Sequence, residues 1–362
     1  MKMKRSLAIL SSVTLAMALL AGCGNAKENE QSNGQTPSNQ TEAGQNGEQT
    51  PAADPNDPLA QFPKLDMPFT VAADATIVEY QGGKLTGKEF EEFLRAINFM
   101  NPQQGSMIEI ADKDALKAFA REYTATKILS GRADEAIKKE SKDMAEQTFE
   151  KIKGQYLGFF GKDEAKFEKF LEGQAVSKEM IVGQMAIIND SINVLKKEIG
   201  DEDLKKEFDA LDKANRTVAS VRHILISTEQ RPQEEALKLA QDLEARLKKG
   251  EDFAKLATEF TDDPGSKETG GLYEDTVVTQ WVPEFKEAAL TQPVGEVGPP
   301  VKTDYGYHIV KVEKRTEKTF DEMKEQLRAQ ALEKAYDAFS KNDLDKLISN
   351  YNIPEPKQPA TK

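Results

Sequence analysis

Hydrophobic positions change their period several times along the chain, and each change marks an element. Leu7 to Gly22 is apolar or small throughout, whereas residues 24–58 contain no Val, Ile, Leu, Phe, Met, Tyr or Trp. Ordered patterning begins near residue 69. Ala75-Thr76-Ile77-Val78-Glu79-Tyr80 reads as a strand, with Gln81-Gly82-Gly83-Lys84 as its turn. Thr86 and Glu89 have the spacing of a capping box and open a helix carrying Phe90, Phe93, Leu94 and Ile97. From 112 to 213 the period is helical almost without a break. Leu116, Phe119, Tyr123 and Ile128 form one apolar stripe; Met180, Met185, Ile188, Ile192 and Leu195 form another.

At Val218 the period changes. Ala219-Ser220-Val221-Arg222-His223-Ile224-Leu225-Ile226 is a β-branched apolar run that predicts a buried strand. Ala236, Leu239, Leu243 and Leu247 then predict a helix, ended by Gly250, and Phe253 to Phe260 a second, shorter one. A turn-rich stretch leads to Leu272 and Tyr273. A helix near Pro283 to Leu290 and a strand from Tyr305 to Val312 follow. This is a compact α+β unit. Thr319 and Glu322 form a second capping box, opening a long helix that is expected to pack back on the earlier helices. The domains expected are therefore a helical part over 69–217, a compact unit over 218–315 inserted into it, a completing helix over 316–352 and a loose tail over 353–362.

The chain start changes the picture from globule to tethered globule. Lys2, Lys4 and Arg5 precede the 16-residue apolar run, which is shorter than the roughly 20 residues a membrane span needs. A basic start, a short apolar run and small residues at its end describe a signal peptide over 1–22. It closes on Leu20-Ala21-Gly22-Cys23, and Cys23 is the only Cys of 362 residues. This resembles the bacterial lipobox, which implies that Cys23 carries a diacylglycerol thioether and begins the mature chain. Residues 23–68 then form the lipidated end and a disordered tether; its 35 apolar-poor residues would reach about 30–35 Å as a flexible coil. Gly24 follows Cys23, so no Asp retention signal is present, and the plan suits the extracytoplasmic face of a Gram-positive membrane.

Charge and composition exclude several functions. Net charge is −13, from 49 Lys and Arg against 62 Asp and Glu, and losing the three cations and no acid of residues 1–22 leaves −16. Such a balance argues against a nucleic-acid partner. One Cys and two His exclude a disulfide framework within the chain and make a metal centre a poor reading; no cofactor is expected.

Both His fall inside the compact unit, on strands. Alternation puts His223 on one face with Val221 and Leu225, and His308 on one face with Val310 and Val312. The two imidazoles are expected to meet, whether as a satisfied core pair or beneath a site. Around them, residues 219–315 resemble a parvulin-type peptidyl-prolyl isomerase domain. The motifs are Arg222-His223-Ile224-Leu225, Asp262-Asp263-Pro264-Gly265-Ser266 before Gly270-Gly271, Val282-Pro283-Glu284-Phe285, Pro300-Val301-Lys302-Thr303 and Gly306-Tyr307-His308-Ile309. With lipobox, tether and helical parts, the plan resembles that of the PrsA-type foldase lipoproteins and is similar to that of the periplasmic chaperone SurA.

The resemblance implies an antiparallel sheet with surrounding helices, a polar network of His223, Asp263, Thr303 and His308, and a proline pocket lined by Leu272, Trp281 and Phe285. Asp263 stands where family members carry Cys or Asp. Two departures touch the site: Gly270-Gly271 is followed by Leu272-Tyr273-Glu274 rather than Asp-Leu-Gly, and Trp281, the only Trp, replaces the usual Met. Phe285 is expected to stand more open than the His pair. The implied function is isomerisation of X–Pro bonds in unfolded or newly secreted proteins, with the helical domain as chaperone and as candidate surface for a homodimer. The competing readings are a catalytically silent parvulin-fold holdase and a solute-binding lipoprotein. The latter needs two lobes of alternating strand and helix, which 90–213 does not offer.

Overall fold

The computed structural model of the chain describes residues 59, 62 and 64–357. The signal peptide, Cys23, nearly all of the tether and the last five residues lie outside them. Contacts divide the chain into two units, residues 1–200 with 329–362, and residues 201–328.

In the first unit, strand β1 (Thr76–Tyr80) turns at Gly82, whose φ of +94° suits a residue without Cβ, and pairs back with β2 (Gly83–Thr86). The expected turn thus ends two residues earlier, and Gly83-Lys84 already belong to a strand. The Thr86/Glu89 capping box is formed and opens α1 (Gly87–Met100). Helices α2 (Gly105–Glu109), α3 (Lys113–Ser130), α4 (Glu135–Phe159), α5 (Glu164–Gln174) and α6 (Lys178–Glu198) follow. Asp112, Asp134, Asp163 and Ser177 cap the last four, each accepting a backbone N–H of the first turn. Phe93 of α1 stacks on Tyr123 of α3 at 4.1 Å, and Phe99, Phe149, Tyr156, Phe167 and Phe170 fill a second cluster. The sheet is completed by an unexpected strand, Ile348–Tyr351, antiparallel to β1. Among the described residues no helix is long and apolar enough to cross a membrane.

The second unit opens with α7 (Asp201–Ala210) and α8 (Lys213–Arg216) and then enters β3 (Thr217–Ser227). Next come α9 (Gln233–Lys248), α10 (Phe253–Phe260), β4 (Leu272–Val277), α11 (Pro283–Thr291), the short β5 (Val301–Thr303) and β6 (Gly306–Glu317). The sheet order is β4-β3-β6-β5, antiparallel throughout. One face, with Ile224, Ile226, Tyr307 and Ile309, packs on Ala236, Ala240, Leu243 and Leu247 of α9 and Leu256 of α10. The other, with Val221, Val310 and Val312, packs on Phe285 and Ala289 of α11. β6 runs five residues past the expected end. Its register with β3 shifts between Ser220 and Val221, and Asp275 takes φ +43° where β4 shifts too.

Helix α12 (Phe320–Ala338) starts at the Thr319/Glu322 capping box. Its later residues Leu332 and Tyr336, with Phe339 and Leu344 beyond, belong to the first unit, packed with Ala125, Leu129, Ile188, Ile192 and Leu195.

Candidate active site

The site lies on the α11 face of the four-stranded sheet, and strand alternation selects its side chains. In the β3–β6 ladder Leu225 faces His308 and His223 faces Val310, so both imidazoles project from the same face. They meet there: His223 Nδ1 and His308 Nδ1 are 3.3 Å apart. Thr303 of β5 lies 2.9 Å from His308 Nε2, and Asp263, in the loop after α10, lies 2.9 Å from His223 Nε2. The four polar residues expected from sequence therefore form one row, Thr303–His308–His223–Asp263.

The glycine pair before β4 fixes this row from behind. Gly271 has φ +81°, and a Cβ there would come within 2.3 Å of the His223 carbonyl oxygen. The His223 N–H donates to the Gly271 carbonyl at 2.9 Å, so the close approach holds the histidine backbone. Asp263 is held by more than histidine. Ser266 donates its hydroxyl to Asp263 Oδ2, Tyr273 donates to the same oxygen at 3.0 Å, and the Gly265 N–H donates to Oδ1 at 3.1 Å.

These contacts set the protons. The hydrogen bond from His223, joined by those from Ser266 and Gly265, holds the Asp263 carboxyl well below the usual carboxylate range against the opposing effect of partial burial. Burial, with the neighbouring His223 adding to it, pushes His308 down to about 3. Burial raises Tyr273 to about 12, and the Asp263 charge adds to that. At neutral pH Asp263 is an anion, His308 is neutral and Tyr273 keeps its proton. One direction of hydrogen bonding satisfies every atom: Thr303 donates to His308 Nε2, His308 Nδ1–H to His223 Nδ1, and His223 Nε2–H to Asp263.

Above the row is a cleft of about 450 Å³ lined by Leu225, Tyr273, Trp281, Val282, Phe285 and Tyr305 together with the histidines and Asp263. The edge of Phe285 meets both imidazoles, its centroid 5.3 Å from each, and Trp281 covers Phe285 at 5.1 Å. Trp281 and Phe285 thus stand at the cleft as expected. Phe285 does not stand open: it is 4% exposed, the same as His223.

Leu272 is the correction. It pairs with Arg222 and so projects from the opposite face of the sheet, while Tyr273 pairs with Val221 and shares the face of His223. Counted from Gly271, Tyr273 also stands at the Leu of the Gly-Gly-Asp-Leu-Gly pattern. Ser266, Tyr273 and Tyr305 join the site without a sequence signal that marks them; Ser266 lies in the Asp262–Ser266 turn, and a serine in a turn ordinarily serves the turn itself.

Residues 205–316 match the family of the PPIC-type PPIase domain. The foldase protein PrsA of Geobacillus kaustophilus is 32% identical over 279 residues, covering 76% of this chain and 85% of that protein. The foldase protein PrsA of Clostridium botulinum is 30% identical over 302 residues, covering 74% and 84%. That of Caldanaerobacter subterraneus is 40% identical over 155 residues, 43% of this chain and 48% of the relative, so this match spans about half the relative's length. The solved structure of peptidylprolyl isomerase (PrsA) from Bacillus cereus covers 76% of this chain and 92% of its own at 24% identity, with a TM-score of 0.36. The family assignment rests on the sequence matches rather than on this superposition.

Proposed function

The chain belongs to the foldase protein PrsA family, and from that premise we propose that it is a membrane-anchored, extracytoplasmic foldase whose isomerase unit turns X–Pro bonds in unfolded or newly secreted proteins. The observation that carries the reading is the apolar cleft of Trp281, Val282 and Phe285 seated directly on the Thr303–His308–His223–Asp263 row.

Rotation about an X–Pro bond breaks no covalent bond, and its barrier of about 18–20 kcal/mol comes from lost amide resonance. The planar imide is the more polar form, and water stabilises it better than the twisted one. A cleft that takes the proline ring against Trp281 and Phe285 strips that water and favours the twisted state. An acceleration of 10³–10⁵ asks for only about 4–7 kcal/mol of such differential binding. The row beneath carries its anion at one end, on Asp263, and His308 in it is neutral. Its hydrogen bonds fix the two rings against which Phe285 is packed.

The test is isomerisation of a proline peptide by the full chain, followed by exchange NMR without a coupling protease. Trp281 is the only Trp, so its fluorescence reports peptide entry directly. Trp281 is only partly buried, and Trp281→Ala should lower turnover about tenfold or more while disturbing the fold less than Phe285→Ala. Wild-type turnover in Trp281→Ala would remove the cleft from the mechanism. A wild-type chain that shows no turnover but suppresses aggregation of an unfolded client would make it a holdase.

Anchoring rests on the lipobox-like Leu20-Ala21-Gly22-Cys23. Cys23→Ala should lose partitioning into the detergent phase; recovery there at the wild-type level would refute the anchor.

A further inference from the structure

Asp263 accepts from three donors that the implied four-residue network does not include, and one of them comes from another strand. Four groups donate to its carboxylate: His223 Nε2, Ser266 Oγ, the Gly265 N–H and Tyr273 Oη. Gly265 and Ser266 lie two and three residues from Asp263 in its own turn. His223 comes from β3. Tyr273 is the only donor from β4, and like His223 it also lines the cleft. Its hydroxyl is pressed onto the Asp263 turn so closely that a Cβ on Gly265 would sit 2.7 Å from it. Its ring lies 5.4 Å from that of His223.

We propose that Tyr273 is a positioning residue of the isomerase site: its ring forms one wall of the cleft, while its hydroxyl holds the Asp263 carboxylate in line with His223 Nε2. The proposal rests on the isomerase reading for its kinetic consequence, but not for its structural one. An anion fixed opposite Nε2 forces the Nε2–H tautomer on His223, which in turn makes Nδ1 the acceptor for His308 Nδ1–H. Freed from Tyr273, the carboxylate keeps only His223 and its own turn. Asp263 can then turn with its loop, and the direction of the whole row is no longer imposed. The other groups near Asp263 do not replace this donor. Asp262 beside it is bound to Arg231, and His308 lies one ring further along the row.

Tyrosine serves both purposes with separable atoms, and that makes the test clean. Tyr273→Phe keeps the wall and removes the donor, whereas Tyr273→Leu removes the donor and alters the wall. The chain contains only two histidines, and both belong to the row, so a full-length sample labelled with ¹⁵N at histidine reports nothing else. In the wild type the spectrum at neutral pH should show one tautomer for each ring, Nε2–H for His223 and Nδ1–H for His308. In Tyr273→Phe the His223 signals should show mixed tautomers. With a proline peptide, kcat should fall about three- to tenfold with KM unchanged, and Tyr273→Leu should raise KM as well. A Tyr273→Phe chain with single tautomers and wild-type kcat overturns the proposal, as does one in which only KM rises. If the wild type itself shows no turnover, the isomerase reading fails while the tautomer comparison still decides the positioning role.

Discussion

Asp262 and Asp263 are neighbours in sequence with opposite duties in the loop after α10. Asp262 accepts from the Ser227 N–H at 2.8 Å and binds Arg231, which ties the β3–α9 connection to the loop. Asp263 turns the other way, to the imidazoles. The family resemblance singled out Asp263 through its motif, and strand alternation brought the two His together; motif and alternation are both local signals. Tyr273 was not legible in this way: in a strand rich in polar residues a tyrosine reads as ordinary surface-to-core packing. Its role depends on a hydroxyl reaching a loop ten residues earlier. The burial of His308 has a consequence for acid stability. Its pKa in the folded chain, about 3, lies below its ordinary value of 6.5, so the unfolded chain takes up the proton first. That stability is intact above pH 6.5 and declines as pH falls through 6.5 toward 3. Between pH 7 and 4.5, urea unfolding of the wild type should lose about 2–3 kcal/mol on this account. His308→Gln should lose that part of the pH dependence. Asp263 works in the same direction but in a lower window. Its pKa is depressed, so its share is present above its ordinary value near 3.8 and lost only below it.

Among the elements, those that repeat a local period were readable: the helices, β1, β3 and both capping boxes. The two short strands, Val301–Thr303 and Ile348–Tyr351, were not, because three or four residues hold too little alternation and their partners are chosen by the tertiary fold. Leu272 shows how fine the margin is. A count wrong by one residue in a strand moves a side chain from the cleft to the far face. Glycines make the same contrast testable. Gly271→Ala would add a Cβ 2.3 Å from the His223 carbonyl oxygen at φ +81°, and should cost about 1–3 kcal/mol as well as turnover. Gly154 is exposed within α4 with nothing within 4 Å of its Cβ position. Gly154→Ala should stabilise the chain by about 0.5–1 kcal/mol. Thermal and urea unfolding of the two variants check both signs.

At the scale of the whole molecule, the two-part plan was visible as a change of hydrophobic period, but where contacts divide the chain depends on pairings that no window of sequence contains. Asp201 receives Lys324 at 2.6 Å and Arg328 at 2.7 Å, so the first and last residues of the 201–328 unit are joined. Phe208 meets Phe320 at 5.9 Å, and Ala214 packs in the core that holds Phe285. A 201–328 fragment should therefore unfold in one transition, and should be more stable than a 218–315 fragment by about 2 kcal/mol or more, given the aromatic contact and core area the shorter one lacks. Comparison of their urea midpoints checks this. The other unit is built differently: its sheet pairs Asn350 with Glu79 across 271 positions, and its core waits for Leu332, Tyr336, Phe339 and Leu344. A chain is made from its N-terminus, so the two units cannot mature in the order in which they begin. The helical unit starts first and finishes last, and the isomerase unit, contiguous between its halves, is complete while its host still lacks a strand. For that interval a finished unit is joined to a host that still lacks a strand, and the host's own X–Pro bonds, Met67-Pro68 and Asn101-Pro102 among them, lie on the same chain.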